Sequence, residues 1–186
     1  MLQDYIQPVE KIYYTLPIPK DHPFIEVARN FSEFTDISKK YTVDFQNATL
    51  NIYKGLTGSA LTIPIQEDKA NEGKAVVVYF TETNEVNSIQ IITLQTTTDG
   101  FNLTFSSADE SLEITGIFEN DEYIETVVND KSEIHSSQTR TQCIDAAFKR
   151  LPYALQAVCF AACAAILTAP GLAACAGCLV GLGIHC

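Results

Sequence analysis

The chain has 186 residues, a formal net charge of −11 and a sequence pI near 4.6. That length suits one medium domain, or one domain with a small appendage. The acidic balance argues against a nucleic-acid partner, which is bound through Lys and Arg, and three histidines (His22, His135 and His185), no two of them neighbours, argue against a histidine-rich metal site.

Met1–Thr15 shows neither the basic start nor the apolar run of a secretory signal. Pro8, Pro17 and Pro19 make residues 1–20 read as an irregular arm, with Tyr5, Tyr13 and Tyr14 as packing residues. Asp21-His22-Pro23 reads as a helix start, with Pro in the first turn. Phe24, Val27, Ala28, Phe31 and Phe34 follow at helical spacing as one apolar stripe, and Lys39-Lys40 marks the end. One helix is expected here.

From Tyr41 to Val128 the period becomes two. Leu61, Ile63 and Ile65 alternate with Thr62 and Pro64, and Phe101, Leu103 and Phe105 with Asn102, Thr104 and Ser106. These read as half-buried strands with one wet face. Pro64, with no N–H to donate, places its strand at an edge. Ala75–Phe80 is a continuous apolar run and a candidate central strand. Asp99-Gly100 is a hairpin signal. About seven strands joined by short turns predict an α+β fold, an antiparallel β-meander with one packed helix, over residues 1–129.

Residues 130–142 (DKSEIHSSQTRTQ, after Asn129) are polar and read as a cleavable linker, with Ser136 and Arg140 in the cleavage region. Beyond it the chemistry changes. Residues 1–142 hold ten Lys/Arg against twenty-two Asp/Glu, a balance of −12; residues 143–186 hold Lys149 and Arg150 against Asp145, a balance of +1. All six cysteines lie in this last segment, and Leu151–Cys186 contains no Asp, Glu, Lys or Arg. Such cysteine density is typical of disulfide-stapled secreted peptides, so the chain reads as a secreted protein whose leader has been removed.

Ala dominates the tail, and Thr168-Ala169-Pro170-Gly171 reads as a turn between two apolar helices. Cys159 and Cys163 are four apart, Cys175 and Cys178 three apart, so each pair shares a helix face. Both Cys163/Cys175 and Cys159/Cys178 centre on that turn, so an antiparallel hairpin favours those two nested bridges, with Cys143 and Cys186 closing the ends. A zinc site on Cys175-x-x-Cys178, a redox Cys-x-x-Cys and a membrane anchor with unpaired cysteines remain open alternatives. Two short helices do not match the about 20 residues of a bilayer span. Lys149 and Arg150 at the mouth, with Phe160, Ile166, Leu167 and Leu179 along the tail, would meet the target-cell membrane.

The arrangement Cys143…Cys159-x-x-x-Cys163…Pro170…Cys175-x-x-Cys178…Cys186, with its Ala/Gly richness, resembles the C-terminal region of halocin-like bacteriocin precursors over the last 44 residues. That resemblance implies an antimicrobial peptide behind a longer N-terminal region associated with immunity. The expected function is a secreted precursor whose acidic domain covers the peptide as an intramolecular partner until a processing protease cuts the linker, after which the peptide is membrane-associated. The other reading is a cell-surface binding module with an apolar membrane-anchoring hairpin. No nucleophile motif, phosphate loop or carboxylate pair suggests an enzyme, and neither metal nor cofactor is expected.

Overall fold

The computed structural model describes residues 13–53, 58–66, 69–120, 122–131 and 141–149. Its strands are β1 (Tyr13–Pro17), β2 (Thr49–Tyr53), β3 (Ser59–Ile65), β4 (Glu72–Phe80), β5 (Val86–Thr96), β6 (Gly100–Ser107), β7 (Leu112–Glu119) and β8 (Glu122–Asp130). Each pairs antiparallel with the next, so sheet order equals chain order. Between β1 and β2 lie α1 (Pro23–Arg29), α2 (Ser32–Lys40) and a short 3-10 turn (Phe45–Asn47). A third helix, α3, covers residues 141–149.

The expected fold class is corrected by this architecture. Among the described residues the fold is mostly a β-meander of eight strands, with three α-helices rather than one packed helix. The expected disulfide-stapled helical hairpin lies outside the described residues. The additional strand is β1, where an irregular arm was expected. Its register runs from Tyr13↔Tyr53 to Pro17↔Thr49. Pro17 occupies the last position of a strand at the sheet edge, where a missing N–H costs little.

The expected single helix is two. His22 caps α1, its Nδ1 accepting from the Phe24 N–H at 3.2 Å, and Pro23 opens the first turn. The chain then leaves helical geometry at Phe31 (φ −87°, ψ 136°) before α2 begins. This break resets the helical phase. Ile25 and Ala28 of α1, then Phe34 and Ile37 of α2, all reach the sheet, while Phe31, expected in the stripe, is 36% exposed. Arg29 instead spreads over the Phe45 ring at 4.1 Å.

The strand alternation divides the sheet into two faces. The first carries Leu50, Leu61, Ile63, Val76, Val78 and Ile91, which pack with Ile25, Ala28, Phe34 and Ile37 in one core. The second carries Ala60, Val77, Tyr79, Ile92, Leu94, Leu103, Phe105, Ile114 and Phe118, all buried. β3 is therefore buried on both faces rather than half wet, and β4 is buried on both faces as its continuous apolar run predicts. On β6 and β7 the first face becomes polar, with Thr104 and Thr115 sharing a hydrogen bond at 2.8 Å.

Pro64 is not on an edge strand, because β3 sits between β2 and β4. The rule holds locally all the same. β2 pairs only as far along β3 as Thr62, and beyond it the Pro64 carbonyl accepts from the Asp44 N–H at 2.7 Å. A strand residue directs its N–H and C=O to the same side, so the missing donor of Pro64 falls where no strand needs it. The β5–β6 connection also departs from expectation: pairing includes Gly100, opposite Glu119. A Cβ on Gly100 would stand 2.0 Å from the Phe118 carbonyl oxygen, so close backbone approach, rather than a left-handed turn, requires glycine there.

Candidate functional site

The second face brings the end of the acidic domain and the start of the cysteine-rich tail into contact. Residues 141–149 form a helix because Ala146, Ala147 and their neighbours contain no glycine or proline, and Ile144, Ala147 and Phe148 fall on one stripe. That stripe is buried. Phe148 meets the ring of Phe105 at 5.7 Å between centroids and the edge of Phe118 at 6.0 Å and 83°. Phe118 itself stacks on Phe101 at 4.7 Å.

Gly116 supplies the space. A Cβ there would lie 2.8 Å from both Phe148 Cγ and Phe118 Cε2. The absent side chain is therefore the seat for the Phe148 ring, in the middle of β7 between Ile114 and Phe118. The helix is also tied by polar groups at the rim. The Tyr123 hydroxyl donates to Asp145 Oδ1 at 3.1 Å and shares a hydrogen bond with Thr126 at 2.9 Å. Lys149 Nζ lies 2.8 Å from Asp145 Oδ2, one helical turn on. Hydrogen bonds from Lys149, then Thr126 and Tyr123, hold the Asp145 carboxyl below the usual aspartate range, and the same pairing raises Lys149.

Of the sequence-predicted residues, two lie on this helix. Cys143 is half-buried and disulfide-bonded. Lys149, expected at the mouth of a membrane-contacting hairpin, is exposed and paired with Asp145. Cys159, Cys163, Cys175, Cys178, Cys186, Arg150, Phe160, Ile166, Leu167 and Leu179 lie outside the described residues, as do Ser136 and Arg140. The structure thus does not bring the six cysteines into view together. Thr141 and Gln142, assigned to the linker, are helical.

Sequence reading missed Ile144, Asp145, Phe148 and Gly116. Signals for them exist. Ile144, Ala147 and Phe148 have i, i+3, i+4 spacing, Asp145 and Lys149 are an i, i+4 ion pair, and an isolated glycine inside a strand pattern marks close approach.

Among the described residues no group of three or more His, Cys, Asp or Glu side chains is placed to hold a metal ion, and no helix is long and apolar enough to cross a membrane. What the arrangement does physically is hold residues 141–149 on the second face of the sheet through one buried stripe. No protein-family model matches this chain, and neither a curated protein nor a solved structure matches it.

Proposed function

We propose that the chain is the precursor of a membrane-active, bacteriocin-like peptide, carried by an acidic, mainly β domain and released from it outside the producing cell. The carrying observation is the partition of charge and cysteine: −12 over residues 1–142, then six cysteines and a stretch, Leu151–Cys186, without a charged residue. The disulfide at Cys143 supports a covalently stapled tail in an oxidising compartment. An apolar segment of this kind is an aggregation liability if left uncovered, and a charged domain attached in cis counters that.

The junction adds a physical condition on release. A cut within residues 132–140 would leave α3 seated, because Ile144 and Phe148 are buried against the sheet. Burying side chains of this size contributes about 1.5–3 kcal/mol each. Proteolysis therefore turns an intramolecular association into a bimolecular one, and dilution or a competing lipid surface completes the separation. The test is to cut the oxidised full-length chain in residues 132–140 and add anionic vesicles loaded with dye. Leakage after the cut, and none before it, supports the reading. Absence of both leakage and growth inhibition at micromolar peptide overturns it.

A further inference from the structure

The two edges of the sheet are built differently. β1 is five residues long and ends on Pro17, with Pro19 just beyond it. A short strand and a proline both blunt an edge against further pairing. β8 is nine residues long and contains no proline, glycine or lysine, and among the described residues no strand pairs on its outer side. Its apolar side chains are open as well: Ile124, Val127 and Val128 are 49%, 45% and 44% exposed. Carboxylates crowd the same strip. Glu119 of β7 stands directly opposite Glu122 of β8, and Glu125 shares their face, opposite Ile117. All three are exposed, and none of them forms an ion pair with a described residue. Like charges directly opposite each other destabilise a pair of strands, and the described residues supply no counter-charge to this one.

We infer that β8 is an interaction edge, on which an extended segment of a partner protein, carrying lysine or arginine, pairs as a further strand. Three properties of the strand define that occupant. The outward N–H and C=O groups of an edge strand are satisfied by another extended backbone. The exposed side chains of Ile124, Val127 and Val128 pack best against β-branched or aromatic neighbours on an added strand. The carboxylates select a cationic segment and reject a second copy of this chain, whose β8 brings the same charges. The net charge of −11 draws such a segment in from a distance. The inference is independent of the carrier reading, because it uses only β7 and β8.

It is tested on the oxidised full-length chain with three synthetic peptides. One alternates lysine with valine, one alternates glutamate with valine, and the third is the lysine peptide methylated at every backbone nitrogen, which keeps the charge and removes strand pairing. Binding is read by titration calorimetry and by hydrogen exchange. The lysine peptide is expected to bind and to slow exchange within residues 122–130, and the other two are expected not to bind. The Glu122→Lys, Glu125→Lys double variant should bind the lysine peptide about tenfold more weakly. It should melt no lower than the parent chain, because a cation then faces Glu119. Glu26→Lys with Glu33→Lys, on the exposed sides of α1 and α2, changes the net charge equally and should leave binding unchanged. No binding of the lysine peptide, equal binding of the methylated or glutamate peptide, an equal loss in both double variants, or slowed exchange only outside β8 would each overturn the inference. Vesicle leakage on cutting the linker is unaffected by any of these outcomes, so the two readings fail separately.

Discussion

The two faces of the sheet are closed by different parts of the chain. The first is covered by α1 and α2, which leave β1 and return into β2, so the cover belongs to the strands' own connection. The second receives α3, which follows β8 and returns across β6 and β7. The first cover buries four side chains, Ile25, Ala28, Phe34 and Ile37, on two helices, with Phe24 and Val27 packed beside them. At α3 the contact centres on Phe148, with Ile144 and Ala147 beside it and a half-buried polar rim at Asp145.

Removing that anchor is expected to have the largest effect. Phe148→Ala deletes a fully buried aromatic side chain, and such changes cost about 3–5 kcal/mol. Phe34→Ala on the first face should cost a similar amount. The difference lies in what opens. In hydrogen exchange, Phe148→Ala should deprotect residues 141–149 while β3 and β4 stay protected, whereas Phe34→Ala should weaken the strands themselves. Equal loss of protection throughout in both variants would erase the distinction between the faces.

Gly116→Ala should come next, at about 1–3 kcal/mol in urea denaturation, because its Cβ must displace the Phe148 or Phe118 ring. Its cost should shrink when Phe148 is already alanine, since the clashing ring is gone. Additivity of the two changes would show that Phe148 does not sit over Gly116. Asp145→Asn is smaller, under about 1 kcal/mol, because its pairing with Lys149 is largely exposed. It should speed proteolysis within residues 141–149 more than it shifts the unfolding midpoint.

The smallest effect is on pH dependence. Asp145 is lowered chiefly by its bond from Lys149, and Asp109 by the Ser111 N–H together with the hydroxyls of Ser107 and Ser111. A lowered carboxylate contributes stability that is complete above the ordinary aspartate value, about 3.9, and is lost as pH falls from there through the folded value. Lys149, raised by Asp145, contributes stability that is complete below the ordinary lysine value and lost as pH rises through its folded one. Asp145→Asn should flatten both limbs slightly in thermal melts. Asp109→Asn, in the β6–β7 turn, should flatten only the acid limb.

Much of the strand pattern is legible in the residues. Ala75–Phe80 is apolar without interruption because β4 is buried on both faces, and Leu112, Ile114 and Phe118 alternate because only one face of β7 is buried. Other features need a partner to be understood. Pro64 reads as an edge residue in the sequence, and only the fold places Asp44 on its open side, an arrangement set by where β2 stops. β1 has too few residues and too many prolines nearby to declare itself, and pairing with β2 makes it a strand. The break at Asn30-Phe31 has no glycine or proline to announce it; it exists because two apolar stripes of different phase meet one sheet.

The sequence by itself determined the partition: an acidic, strand-rich front, a polar stretch, and an uncharged cysteine-rich end. Composition and periodicity are local properties, and they survive without knowledge of neighbours. Only the tertiary structure decided that the division in charge is not a division in packing. Phe148, three residues beyond Asp145, fills the space left by Gly116, thirty-two positions earlier in the chain. Contacts between residues so far apart depend on strand register and on which face each side chain takes, and a one-residue slip would invert both.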